Sequence, residues 1–130
     1  MTGKLVLDTS VIVAALRRAP GVWERLRSSD ALLVPLVALG ELEYGANLAL
    51  HGAKQRAALN AFMTGAELLM PSARTAAEYG RIKAELSRGG ALIPENDIWI
   101  AAYAMEHNLP LAMRDAHFAR IPGLTVQDWR

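Results

Sequence analysis

Apolar runs too short for helices, set between longer stretches with helical spacing, constrain this chain more than any other feature. Residues 4–7 (KLVL), 31–34 (ALLV), 67–70 (ELLM), 111–113 (LAM) and 125–127 (TVQ) read as short strands. Most are continuously apolar where a strand with one wet face would alternate, so they belong in a sheet covered on both faces. Helical patterning fills residues 9–18, 21–29, 36–50, 53–63, 72–88 and 94–107. Pro20 follows the first of these, Ser72 caps the fifth, Gly89-Gly90 stops it, and Asn108 with Pro110 closes the last. Strands alternating with helices in this way predict an α/β fold. The expected form is a three-layer α/β/α sandwich around a central parallel sheet of about four or five short strands. With 130 residues and no repeat or linker, residues 1–130 read as a single domain.

Composition narrows the chemistry. The chain has no cysteine, which removes disulfides and thiolate zinc sites together and suits a cytoplasmic compartment. The N-terminal apolar run meets Asp8 too early for a signal peptide, and no stretch approaches the ~20 apolar residues of a membrane span. A net charge of +1 neither announces nor excludes a nucleic-acid partner.

The acids are placed more informatively than they are numerous. Ligands of open parallel sheets sit beyond the carboxyl ends of the strands. Asp8 directly follows KLVL and Asp115 lies just after LAM, so both project at that edge. Asp97 opens a helix whose next residues, Ile98, Trp99, Ile100 and Ala101, carry hardly a polar atom, and that helix leads into LAM. A fourth acid, Glu41, falls at helical spacing with Val37, Tyr44 and Leu48, on a face expected to be apolar and buried. Gly40 and Gly45 bracket it at a cost of ~1 kcal/mol each relative to alanine, tolerable if something approaches the backbone closely. Each acid also has a plain structural explanation. Asp8 and Asp97 serve as helix caps, Asp115 stabilises a turn, and Glu41 reaches out of the core. Taken together, four carboxylates at one edge repel unless a cation holds them, and all-oxygen ligands select Mg²⁺ or Mn²⁺ over zinc. Such a site does phosphoryl chemistry, with the ion activating water.

LVLDTSVIVAAL, GELEYGA and PENDIWIAAYAMEHNLPLAMRDAHF, in that order and spacing, resemble the PIN domain, specifically the VapC-type ribonuclease toxins. The resemblance covers essentially the whole chain. It implies a metal-dependent endoribonuclease with catalytic acids at Asp8, Glu41, Asp97 and Asp115, and Mg²⁺, replaceable by Mn²⁺, on Asp8, Asp97 and Asp115. It also implies an RNA substrate, a small cognate antitoxin that occludes the site, and a toxin homodimer. One departure is Met113, where the family usually has a threonine whose hydroxyl helps orient the acids. A PIN-type RNA-processing nuclease without an antitoxin, and a non-catalytic interaction module on the same fold, are the alternatives.

Other residues are placed around the acids. Thr9 and Ser10 either start their helix or supply hydroxyls that hold the carboxylates. Asn96 either bonds substrate or caps its helix. Arg114, beside Asp115, is a candidate for an RNA phosphate or a solvated surface arginine. Trp23 and Leu26, on the short GVWERLRSS segment, either line a groove for an antitoxin segment or pack in the core. His51, His107 and His117 form no metal set; His117 is expected to pack beside Phe118 or lie exposed, and Trp99 and Tyr103 to belong to the core.

Overall fold

A computed structural model describes residues 3–130. Its five strands are β1 (Lys4–Leu7), β2 (Ala31–Pro35), β3 (Glu67–Leu69), β4 (Leu111–Met113) and β5 (Val126–Asp128). They form one sheet in the order β3-β2-β1-β4-β5, with every neighbouring pair parallel. Helices α1 (Thr9–Leu16) and α2 (Val22–Arg27) link β1 to β2, and α3 (Leu36–Leu48) and α4 (Gly52–Thr64) link β2 to β3. Helices α5 (Ala73–Arg88) and α6 (Glu95–His107) then carry the chain back across the sheet to β4. With this strand order, the right-handed rule for parallel crossovers assigns the links to β2 and β3 to one face and the return to β4 to the other. This is the expected α/β/α sandwich.

The strand order decides where a site can form. After β1 the chain moves toward β2, and after β4 it moves the opposite way to β5, so the crevice between these two strands is a topological switch point. Val6 pairs with Leu111 and Leu7 with Ala112, and the Asp8 amide donates to the Ala112 carbonyl at 2.9 Å. Asp8 and Asp115 therefore leave the sheet side by side. Leu5, Val6 and Leu7 are wholly buried, as a strand covered on both faces requires. Among the described residues, no helix is long and apolar enough to cross a membrane.

Several boundaries move for local reasons. Helix α1 ends at Leu16, two residues early, because Arg18 takes a left-handed conformation (φ 58°) before Pro20. Residues 116–120, assigned no element from sequence, form a 3₁₀-helix capped by Asp115. Ser72 caps α5 as expected, and its amide bonds the Thr75 hydroxyl in a reciprocal box. Tyr103 is in the core, whereas Trp99 is half-buried and stacks on Tyr79 with ring centroids 3.8 Å apart.

Helix α3 corrects a larger reading. Its buried residues are Ala38, Leu42 and Ala46, one step round the helix from the face shared by Val37, Glu41, Tyr44 and Leu48. Tyr44 and Leu48 are each 67% exposed, so Glu41 sits between the core and an open apolar face instead of inside the core. The small alanines form the inner face because α3 packs closely on β2, α1 and α6. Nor do Gly40 and Gly45 admit another part of the chain, since no atom lies within 4 Å of a β-carbon built on either.

Leu26, offered above as part of a partner groove, is 3% exposed and belongs to the main core cluster. Leu26→Ala is expected to lower stability by about 2–4 kcal/mol, the usual loss for a core leucine. Urea unfolding measures this, and an unchanged midpoint would return Leu26 to a binding surface.

Candidate active site

Asp8 is both a cap and a buried acid. Its extended backbone (φ −72°, ψ 153°) ends β1 and starts α1, and its Oδ2 accepts from the Ser10 amide at 3.1 Å and from the Ser10 hydroxyl. The Ser10 oxygen in turn accepts from the Arg114 amide at 3.0 Å, tying the end of β4 to the start of α1. Oδ1 of Asp8 is buried with no hydrogen-bond partner in the protein. Burial pushes the Asp8 carboxyl up to about 6. The two Ser10 hydrogen bonds oppose that rise, while the charges of Asp97 and Glu41 add to it.

Asp97 is not a cap. Pro94 holds that position in α6, and its carbonyl accepts from the Asp97 amide at 3.0 Å. Released from capping, the Asp97 carboxylate turns to His117, whose Nδ1 lies 3.0 Å from Oδ2. Burial raises the Asp97 pKa; the His117 hydrogen bond pulls against this, and the neighbouring Asp115 and Glu41 charges push further up. Asp115 caps the 3₁₀-helix by accepting from the His117 amide at 3.0 Å, and the same Oδ1 is 3.0 Å from His117 Nδ1. Glu41 arrives from α3 and accepts from the Thr9 hydroxyl at 2.6 Å.

The four predicted acids thus act electrostatically on one another at the end of the β1–β4 crevice. Thr9 and Ser10 both hold carboxylates. Asn96 is exposed at the second position of α6, which removes its reading as a cap. Arg114 is half-buried. Asp128 on the adjacent strand is held down to about 2, chiefly by hydrogen bonds from Arg130, with a smaller contribution from the Arg114 charge. Met113 is 2% exposed in the core, so the hydroxyl that links the two strand ends here is that of Ser10.

His117 is the residue that the sequence reading missed. Its ring neither packs idly nor stands free; it bridges Asp97 and Asp115. A local signal existed. An acid that caps a turn takes the amide two residues on, which folds that residue's side chain back over the carboxylate.

The donor set fits a divalent cation. Like charges crowd a partly dehydrated spot, Asp8 Oδ1 faces no donor, and ligand atoms of Asp97, Asp115 and His117 all lie within 4.8 Å of one another. Carboxylate oxygens favour hard ions.

Two clefts flank α1, and one of them reaches the acids. One of about 630 Å³ runs from Thr9 and Glu41 between α1, α3 and α4, past Gly45, to Arg17, His51 and Lys54. The other, about 620 Å³, is lined by Leu16, Arg18, Trp23, Arg27 and Phe62. Trp23 donates from Nε1 to the Ala15 carbonyl at 2.9 Å and meets Phe62 edge-on at 5.8 Å, leaving part of its ring on the cleft wall. It occupies the groove position that Leu26 does not.

Comparison with known proteins follows the same lines. A family model described as the PIN domain matches residues 5–124. Ribonuclease VapC2 of Haemophilus influenzae is 33% identical over 129 residues, covering 97% of this chain and 98% of the relative. The tRNA(fMet)-specific endonuclease VapC of Salmonella typhimurium is 30% identical with the same coverage. The crystal structure of DNA-bound VapBC from Salmonella typhimurium matches with a TM-score of 0.92, at 29% identity over 98% of both chains.

Proposed function

Since the chain belongs to the PIN-domain family, we propose that it is a single-domain endoribonuclease and the toxin of a toxin–antitoxin pair. The observation that carries the reading is the convergence of Asp8, Glu41, Asp97 and Asp115 at the β1–β4 crevice, with Asp8 Oδ1 buried and unpartnered. Relatives of nearly the same length are a ribonuclease and a tRNA(fMet)-specific endonuclease, which supports RNA cleavage as the activity.

Asp8, Asp97 and Asp115 would hold Mg²⁺ or Mn²⁺. When bound, such an ion offers Lewis acidity and lowers the pKa of water toward neutrality. The remaining work falls to the protein. Ser10 fixes the Asp8 carboxylate by two hydrogen bonds to Oδ2, which leaves Oδ1 without a donor and free to serve an ion. The Thr9 hydroxyl orients Glu41 at the mouth of the larger cleft, where its carboxylate can take a proton from the attacking water. Arg114 and Asn96 are assigned to the RNA backbone flanking the scissile phosphate.

One structural neighbour is DNA-bound VapBC, and another belongs to the VapBC family of toxin–antitoxin systems. By the same reading this chain has a small cognate antitoxin and forms a homodimer, and the cleft bearing Trp23 accepts part of the antitoxin. A cytoplasmic location follows from an RNA substrate.

Mapping RNA ends after brief induction in cells tests the reading. New ends should recur at discrete sites with the wild type and be missing with Asp8→Asn. A folded, abundant protein that creates no new ends would refute it.

A further inference from the structure

His117 places its Nδ1 3.0 Å from Asp97 Oδ2 and 3.0 Å from Asp115 Oδ1. Carboxylate oxygens present lone pairs, and a nitrogen lone pair aimed at both would be repelled. Something positive has to lie among the three atoms. A proton on Nδ1 meets that need in the hydrogen bond to Asp97, and a divalent cation meets it equally well. The spacing suits the cation closely. Donors on adjacent corners of an octahedron with bonds of ~2.1 Å stand about 3.0 Å apart, and all three donor atoms fall within 4.8 Å of one another.

Two further observations point the same way. The His117 amide is bonded to Asp115, which pins the ring over the acids by its own backbone. Asp8, whose charge acts on this cluster through Asp97, keeps a buried oxygen without a donor. No other histidine competes for the role. Of the three in the chain, His51 lies along the larger cleft and His107 lies beside Glu106 at the far end of α6.

We propose that His117 Nδ1 is a direct ligand of the divalent cation, so that the centre joins one imidazole to its carboxylates and prefers Mn²⁺ to Mg²⁺. Imidazole nitrogen suits transition ions, whereas Mg²⁺ is best served by oxygen alone. In the bound state the ring carries its one hydrogen on Nε2; a proton held on Nδ1 against Asp97 moves there or to solvent, and the Nδ1 lone pair forms the bond to the ion. The inference rests on the metal-centre reading above.

Pulsed electron paramagnetic resonance on the full-length protein loaded with Mn²⁺ tests it without reference to activity. Electron spin echo modulation from a directly bonded ¹⁴N nucleus is expected in the wild type. In His117→Gln, Mn²⁺ should still bind but without that modulation, with affinity lower by about tenfold. Mg²⁺ affinity, read by competition, should fall less, so the preference for Mn²⁺ narrows. Mn²⁺ bound by the wild type with no ¹⁴N modulation would overturn the proposal and leave the carboxylate centre standing. Modulation that persists in His117→Gln would likewise overturn it. If the wild type binds no Mn²⁺ at all, both the proposal and the metal centre fail. The wild-type spectrum decides the matter even if the variant does not fold, and labelling the histidines with ¹⁵N identifies the ligand.

Discussion

Asp8→Asn is expected to melt at a higher temperature than the wild type in EDTA near neutral pH, while losing cleavage. The reason is the cost of keeping this acid charged. Its carboxyl is raised from 3.8 to about 6, mainly because it is buried. Below about pH 4 both the folded and unfolded chains carry the proton, and the acid costs nothing. As pH rises toward 6 the unfolded chain ionises first, so stability falls, and above 6 the full penalty, on the order of 3 kcal/mol, is present. Asparagine carries no charge and caps as well as aspartate. Its carbonyl can accept from Ser10 as Oδ2 does, and its amide puts a donor in place of the unpartnered Oδ1 while removing a charge that Asp97 and Glu41 disfavour. Burying an amide has its own cost, so about half of the penalty should be recovered, roughly 5 °C in melting temperature for a chain of this size.

The gain should disappear below about pH 4 and reverse with Mn²⁺ or Mg²⁺. An ion at 100 times its dissociation constant adds about 2.7 kcal/mol to the wild type. Thermal melts of both proteins across pH, in EDTA and with metal, measure each part. A variant that is less stable in EDTA at neutral pH would show that Asp8 is held as an ordinary cap, without repulsion from its neighbours.

How far such a site can be read from sequence depends on what the local pattern determines. Asp8 and Asp115 were legible because a strand ending in an acid places that acid at the sheet's carboxyl edge, whatever the packing around it. Asp97 was legible only through its company, and the fold separates cap from site by giving the cap position to Pro94. Helix α3 was misread because Val37, Tyr44 and Leu48 look more hydrophobic than Ala38 and Ala46. Close helix packing selects by size, so the alanines went inward. Leu26 lay one helical turn from Trp23, and periodicity alone could not say which of the two faced solvent. His117 depended on a turn that only the 3₁₀-helix creates, and the register of β4 sets where that turn begins.

The second large effect is the loss of RNA cleavage when charge is removed without moving atoms. Asp97→Asn keeps an oxygen that can accept from His117 Nδ1, so the geometry around Asp115 should survive. What disappears is one negative charge from the cation's ligand set. The expected fall in cleavage is at least about a thousandfold, since both the ion and the charge it carries in the transition state are lost. Circular dichroism and melting should show a folded protein, which separates this outcome from collapse of the site.

The most direct test is a time course on 5′-labelled RNA with purified protein freed of any partner. Wild type should cut with Mn²⁺ or Mg²⁺, stop in excess EDTA, and resume when metal exceeds chelator, while Asp8→Asn and Asp97→Asn stay inactive throughout. Cleavage that continues undiminished in EDTA, or in a folded Asp97→Asn protein, would contradict a carboxylate-held metal ion as the source of the activity.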